Sequence, residues 1–167
     1  SADPRVRAEN PLFLPTLALP RREFFTYDVV IIGDVPASAI SRSMIEMIRE
    51  FVTEMGGGVI FNVGPRFSPG QWTDTPLNDL LPVEIAPLTR LRESSFQPQR
   101  TPEADLFDFM VLGQNAEENA RAWDNLGKLV WYYPVIRVRP LATVLLAHPR
   151  DTCADGRTPQ PLIAAQK

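Results

Sequence analysis

The chain has 167 residues, a formal net charge of -3 and 44% hydrophobic residues, which is an ordinary composition for a globular domain. This charge gives no general attraction to nucleic acid or to anionic lipid, so we expect no nucleic-acid partner. No apolar run approaches the roughly 20 residues of a membrane span, so we expect no direct membrane insertion by this segment.

The first 21 residues are rich in proline, with Pro4, Pro11, Pro15 and Pro20. Proline this dense interrupts helices and central strands, so residues 1–21 are predicted to form an extended lead-in. We expect the apolar side chains of the lead-in, Leu12, Phe13 and Leu17, to be partly buried. Because the chain opens on a serine, we also expect it to be a segment of a longer protein.

A strand, a helix and a second strand are predicted between residues 29 and 63. Val29–Ile32 and Val59–Val63 are continuous apolar runs, which are typical of strands buried on both faces of a parallel sheet. Ser41–Met55 carries apolar residues at helical spacing, and Gly56 follows as a left-handed stop. This order predicts a right-handed βαβ unit with adjacent parallel strands and the helix on one face.

The later chain has shorter patterns. A helical turn precedes a strand at Val83–Ile85, and an edge strand with a polar loop is expected around Phe96. The stretch "NAEENARAWDNL" predicts a helix that begins near Asn115 or Ala116. Its inward side chains are expected to be Ala120, Trp123 and Leu126. The stretch "KLVWYYPVIRVRPLATVLLAHP" predicts two strands, and "PLIAAQK" a last apolar run.

Three motifs in this order resemble a known family. They are "YDVVIIGDVP", "GGGVIFNVGPRFSPGQWTDTPLNDLLPVEI" and "ENARAWDNLGKLVWYYPV". They resemble class I glutamine amidotransferase-like domains, in particular the cysteine-less group found in large membrane-associated bacterial proteins of unknown function. The resemblance covers residues from about Arg22 to Gln166. It implies an α/β fold, a flavodoxin-like three-layer sandwich with a mainly parallel central sheet.

The resemblance also implies how the domain is bounded. Domains of this group begin with an earlier strand and helix and end with one more strand. Neither end has a counterpart here, so we expect residues 22–167 to form a single amidotransferase-like domain, truncated at both ends.

Active class I amidotransferases carry a nucleophilic cysteine in a pattern like G-x-C-x-G, on a turn between a strand and a helix. Here the matching residues 60–64 read Ile-Phe-Asn-Val-Gly. Asn62 therefore stands at the nucleophile position, and Ile60 replaces the first glycine. The only histidine, His148, lacks the glutamate that the family's His-x-Glu pattern places two residues later. We therefore predict no catalytic residue of this type and no release of ammonia from glutamine.

Other kinds of site are excluded on spacing. The glycines of "GGGVIFNVG" precede the strand, whereas a nucleotide site needs them after it. No histidines and cysteines have zinc spacing, so we expect no metal and no cofactor. Asp34, Asp74 and Asp79 are interpreted as caps and turn formers. The aromatic run "WYYP" is interpreted as packing. Cys153 and His148 are interpreted as a loop cysteine and a surface histidine.

Four residues remain as a candidate ligand site, because they lie in loops that leave the ends of the predicted strands: Asp34, Asn62, Arg66 and Trp72. Trp72 has an equally simple structural interpretation, in which it folds its loop onto the core. The sequence favours a non-catalytic binding or interaction module within a larger, membrane-associated bacterial protein. The alternative is a hydrolase-like enzyme of unknown type, acting at the same sheet edge through Asp34 or Asn62.

The missing strands predict open sheet edges, which need a cover. We expect either a homo-oligomer that forms through a sheet edge or a lead-in that lies across the core. The expected partner is another protein or the rest of the parent chain.

Overall fold

A computed structural model describes residues 19–67, 69–86 and 92–167. The expected burial of Leu12, Phe13 and Leu17 lies outside the described residues. The chain divides into two compact units. The first holds the described residues up to Phe67 together with Asp74–Leu80, and the second holds the described residues between 68 and 73 together with Leu81–Lys167. The single domain at 22–167 stays a prediction.

The described segments form three α-helices, nine strands and several 3-10 turns. The helices are α1 (Arg21–Phe24), α2 (Arg42–Thr53) and α3 (Ala116–Asp124). The strands are β1 (Val29–Ile32), β2 (Gly58–Phe61), β3 (Val83–Ile85), β4 (Arg92–Phe96), β5 (Gln99–Arg100), β6 (Leu129–Tyr132), β7 (Val135–Val138), β8 (Thr143–Thr152) and β9 (Pro159–Ala165). In the described ranges, no helix is long and apolar enough to cross a membrane.

The first unit contains the predicted βαβ unit. β1 and β2 pair in parallel, with Val29 opposite Gly58 and Ile32 opposite Phe61. The side chain of Ser41 caps α2, because its Oγ accepts a hydrogen bond from the backbone N–H of Met44 at 3.2 Å. Gly56 has a φ of 74° after the helix. The parallel pairing, the helix and its left-handed stop are therefore confirmed.

The core of the first unit forms around α2, which buries Met44, Ile45, Ile48 and Phe51. The ring of Phe24 in α1 lies 5.4 Å from the ring of Phe51, edge to face. The 3-10 turn Pro76–Leu80 also packs against α2 and buries Leu77 completely.

The prediction that β1 and β2 are buried on both faces is wrong. Val29, Ile31 and Ile60 are 49%, 67% and 51% exposed. Successive side chains of a strand point to opposite faces, and the described residues cover only the face that α2 packs on. Ile32, on that covered face, is buried.

The second unit is built from antiparallel sheets. β8 pairs with β9 on one side and with β5 on the other, while β3 pairs with β7 and β4 pairs with β6. A small core of Ala104, Met110 and Leu145 packs under the partly buried Trp123.

The flavodoxin-like sandwich with a mainly parallel sheet is therefore wrong. The only parallel pair in the described ranges is β1–β2, and every other pairing there is antiparallel. The physical reason lies in the connections: a parallel crossover needs a dozen or more residues, usually a helix. Between Leu129 and Ala165, four strands follow one another without a helix, which leaves no room for a parallel crossover between consecutive strands. β8 and β9 form a hairpin, and β6 and β7 pair antiparallel with the earlier strands β4 and β3.

Two local expectations in the second unit also need correction. Asn115 does cap α3, through a hydrogen bond of 2.9 Å that its Oδ1 accepts from the Glu118 N–H. However, Ala120 and Leu126 are exposed, and Asn119 is the buried residue of this helix. The Oδ1 of Asn119 accepts the N–H of Leu112 at 2.8 Å, so the inward face of α3 is partly polar.

The stretch predicted as two strands forms three, β6, β7 and β8. A tight turn separates β7 from β8: the N–H of Ala142 donates to the carbonyl of Arg139 at 3.1 Å. Pro140 and Leu141 occupy the two central positions of this turn. Leu141 has a φ of 71° and is 91% exposed, which is the geometry of a type II turn.

Candidate functional site

Asp34 connects the end of β1 to the loop that follows β2. Its Oδ1 accepts the backbone N–H of Phe67 at 2.8 Å, and its Oδ2 accepts the backbone N–H of Arg66 at 3.0 Å. The Nε of Arg66 lies 3.7 Å from the same Oδ2. Both carboxylate oxygens therefore hold the loop in place.

Gly64 makes this arrangement possible. A Cβ built on Gly64 would lie 2.2 Å from Cγ of Asp34, closer than real side chains approach. The loop can therefore wrap around the Asp34 carboxylate only because residue 64 has no side chain.

Asn62 is exposed at the end of β2, and its backbone N–H donates to the carbonyl of Ile32 at 2.8 Å. The residues from Asn62 to Phe67 form an irregular loop. A nucleophile turn of the amidotransferase kind requires a helix directly after the strand. That turn is not formed at Asn62.

Three of the four predicted ligand residues, Asp34, Asn62 and Arg66, thus lie where β1 and β2 end in the first unit. Trp72 belongs to the second unit, where it is buried at the end of the 3-10 turn Pro69–Trp72. Its burial agrees with the interpretation that it packs its loop onto a core. Ligand binding by these four residues stays a prediction.

His148 is not the surface histidine that the sequence predicted, because it is almost fully buried within β8. Its ring centroid lies 4.1 Å from that of Phe96 and 5.0 Å from that of Tyr132. Its Nδ1 accepts the backbone N–H groups of Arg150 and Asp151, at 3.2 and 2.8 Å. The neutral imidazole therefore carries its proton on Nε2.

A bulge in β8 explains these bonds. The register with β9 shifts between Ala147, opposite Pro161, and Thr152, opposite Pro159. Strand β8 thus has more residues than β9 between these two pairs, and a bulge of this kind withdraws N–H groups from the ladder. His148 accepts two of them. Gln160 braces the far side by donating to the carbonyls of Val135 and Thr152, at 3.0 and 3.1 Å.

Cys153 follows the bulge and is buried as well. Burial raises the pKa of its thiol, and the negative charge of Asp155 raises it further. Its Sγ donates to the carbonyl of Pro159 at 3.9 Å. Cys153 therefore lies in the loop between β8 and β9, as the sequence predicted, but as a buried, protonated packing residue.

A cleft of about 310 Å³ opens beside the bulge, between β5 and β8. We call it the β5–β8 cleft. Its polar wall consists of Arg100, Thr101, His148, Arg150 and Asp151, and prolines supply much of the rest. Sequence reasoning missed this site. The signal available was a histidine at the end of an apolar run, with two charged residues two and three positions later, in "LLAHPRD".

In the described part of the chain, no group of three His, Cys, Asp or Glu side chains is arranged so that it could hold a metal ion. Searches against protein-family models, curated proteins and solved structures give no match to this chain.

Proposed function

We propose that this chain is a non-catalytic interaction module that binds an amphipathic helix of another polypeptide on the outer face of its β1–β2 sheet. The outer face consists of Val29, Ile31 and Ile60. The observation that carries the proposal is the exposure of these three branched aliphatic side chains, each near or above one half. The resemblance described above implies that such a module belongs to a larger, membrane-associated bacterial protein.

The physical argument rests on how parallel sheets are covered. Parallel strands joined by a crossover helix are normally packed on both faces, and the packing element is a helix. Here α2 packs on one face, and the other presents apolar side chains. An amphipathic helix would meet this face through apolar residues at positions i, i+3, i+4 and i+7.

The free energy gained by covering the outer face is the size expected for one part of a docking interface. Full burial of an aliphatic side chain is worth about 1.5–3 kcal/mol, so covering three half-exposed ones contributes about 3 kcal/mol. This contribution is smaller than the usual cost of association. The partner must therefore add contacts around the outer face. The edges of the β1–β2 pair, which have no further strand partner among the described residues, can supply them.

Three features support a non-catalytic role. The nucleophile position holds an amide, Asn62, and an irregular loop follows it. The Cys153 thiol is buried with a raised pKa, which disfavours the reactive thiolate. The Nδ1 of His148 already accepts two backbone N–H groups. For the alternative enzyme at Asp34, the engagement of both carboxylate oxygens by the loop is unfavourable.

The test uses a phage-displayed library of amphipathic helical peptides, selected on the full chain. Peptides enriched on the wild type should bind the double variant Ile31→Ser/Ile60→Ser at least about tenfold more weakly, since two apolar contacts are lost. Leu106→Ser is the matched control, because Leu106 is exposed but lies in the second unit. It should bind the peptides as the wild type does.

Equal binding by the double variant, or no enrichment at all, would overturn the proposed surface. Light scattering separates the main competitor: a dimer that the double variant loses would make the occupant a second copy of this chain. Ammonia release from glutamine that disappears in Asn62→Ala would contradict the non-catalytic part.

A further inference from the structure

We propose that the β5–β8 cleft binds a small monocarboxylate with an apolar body. This site lies within the second unit and is independent of the outer face.

The walls of the cleft are held by backbone pairing. In the β5–β8 ladder, Gln99 lies opposite Ala147 and Arg100 lies opposite Leu146. Thr101 then fixes the end of β5, because its N–H donates to the carbonyl of Leu145 at 3.1 Å and its Oγ1 donates to that of Val144 at 2.7 Å. The opposite wall is the β8 bulge, braced by His148. The cleft is therefore preformed, and bulges of this kind are frequent beside binding sites.

Arg100 is positioned in this wall with donor capacity remaining. Its Nη2 lies 2.8 Å from Oδ1 of Asp105, and the side chain is only 20% exposed. Its Nη1 is buried, and among the described residues it has no hydrogen-bond partner. A buried donor left unpaired is unfavourable. An oxygen ligand in the cleft would provide the missing acceptor after a small movement of the guanidinium group.

The charged groups of the cleft include the guanidinium donors that an anion would need. The guanidinium groups of Arg100 and Arg150 and the carboxylate of Asp151 line the cleft. Asp151 is already engaged, because its Oδ2 accepts the hydroxyl of Tyr132. Since Asp105 pairs with Arg100, two guanidinium groups and two carboxylates lie in or beside the cleft, and an anion would be held by the remaining donors of Arg100 and not by an excess of positive charge.

These features select a carboxylate among anions. A guanidinium group forms paired hydrogen bonds with both carboxylates and phosphates. A doubly charged phosphate would be repelled by the nearby carboxylates of Asp105 and Asp151, whereas a single negative charge is repelled less. The remaining wall includes Pro102, Pro149 and Pro159, which suit an apolar body. The volume is at the small end of ligand sites and fits a molecule of the size of benzoate.

The experiment compares benzoate with its neutral isostere benzamide by isothermal titration calorimetry on the full chain. We expect benzoate to bind in the millimolar range and benzamide not to bind. The variant Arg100→Gln should weaken benzoate binding at least about tenfold, because a hydrogen bond to a charged group is lost. Arg137→Gln is the matched control, since Arg137 is an exposed arginine paired with Glu84 in the same unit. It should bind benzoate as the wild type does.

A second variant keeps the test decisive if Arg100→Gln fails to fold. Arg100→Lys retains the charge and removes the planar fork, so it should weaken benzoate binding while the circular dichroism spectrum stays unchanged. The absence of benzoate binding to the folded wild type would overturn the proposal. So would equal binding of benzamide, tighter binding of inorganic phosphate than of benzoate, or unchanged binding in Arg100→Lys.

Discussion

The carboxylate of Asp34, in the first unit, is held by contacts with residues far from it in the sequence. Position after a buried strand predicts that Asp34 lies at a sheet edge. It does not predict that the carboxylate accepts the N–H groups of Arg66 and Phe67. Those bonds depend on the path of a loop 32 residues later in the chain, and local patterns carry no information about such a path.

Gly64→Ala should therefore destabilise the first unit. The added Cβ would meet the Asp34 carboxylate at 2.2 Å, so the loop must move and its bonds to Asp34 must weaken. We expect a loss of about 2 kcal/mol in the free energy of unfolding, measured by urea denaturation.

Gly33→Ala is the control for this change. A Cβ at Gly33 would have no atom within 4 Å, so its effect should be small. In an Asp34→Gly background, Gly64→Ala should cost much less, because the three side-chain atoms of residue 34 that the new Cβ would meet, Cβ included, have been removed. An equal cost in both backgrounds would show that Asp34 is not the cause.

At the scale of elements, local signals were sufficient where the contacts are local. Helix α2 has a capping serine, apolar residues on one face and a glycine stop, and it forms as predicted. The partners of β4, β5 and β6 could not be predicted in the same way. Strand pairing joins residues far apart in sequence, and the alternating pattern of a strand does not identify its neighbour.

The hairpin between β8 and β9 depends on Asp155. Its Oδ2 accepts the hydroxyl of Thr158, and its Oδ1 accepts the N–H groups of Arg157 and Thr158, each at 2.9 Å. The bond from the Thr158 hydroxyl, followed by the two backbone bonds, lowers the pKa of Asp155. A lowered pKa in the folded state stabilises the protein above the ordinary value of about 3.9. This contribution is lost as the pH falls through the lowered value.

Asp155→Ala should accordingly lower the melting temperature at neutral pH. The difference from the wild type should shrink as the pH falls through the lowered pKa, because the wild-type carboxyl is then protonated in both the folded and the unfolded state. Melting curves across this range measure it, with the exposed Asp108→Ala as control. A difference that stays constant with pH would contradict the role of the ionised carboxylate.

For the whole molecule, the parallel pairing that was correctly predicted for the βαβ unit was wrongly expected for the later strands as well. The amidotransferase resemblance implied a mainly parallel sheet, yet the chain from Leu129 onward contains four strands in quick succession. The short connections there already favoured antiparallel pairing. The β5–β8 cleft was missed for a related reason. It exists only because β5, the β8 bulge and the turn after β5 meet, and each looks ordinary alone.

The turn between β7 and β8 has a consequence for heat resistance. A type II turn favours glycine at its third position, and this protein has Leu141 there, with its side chain almost entirely in water. A leucine with positive φ costs about 1 kcal/mol that glycine does not. Leu141→Gly should therefore raise the melting temperature by a few degrees, measured by differential scanning calorimetry. Leu141→Ala, which keeps the strain, should not. A single exposed turn residue can therefore limit the melting temperature without any change in the core.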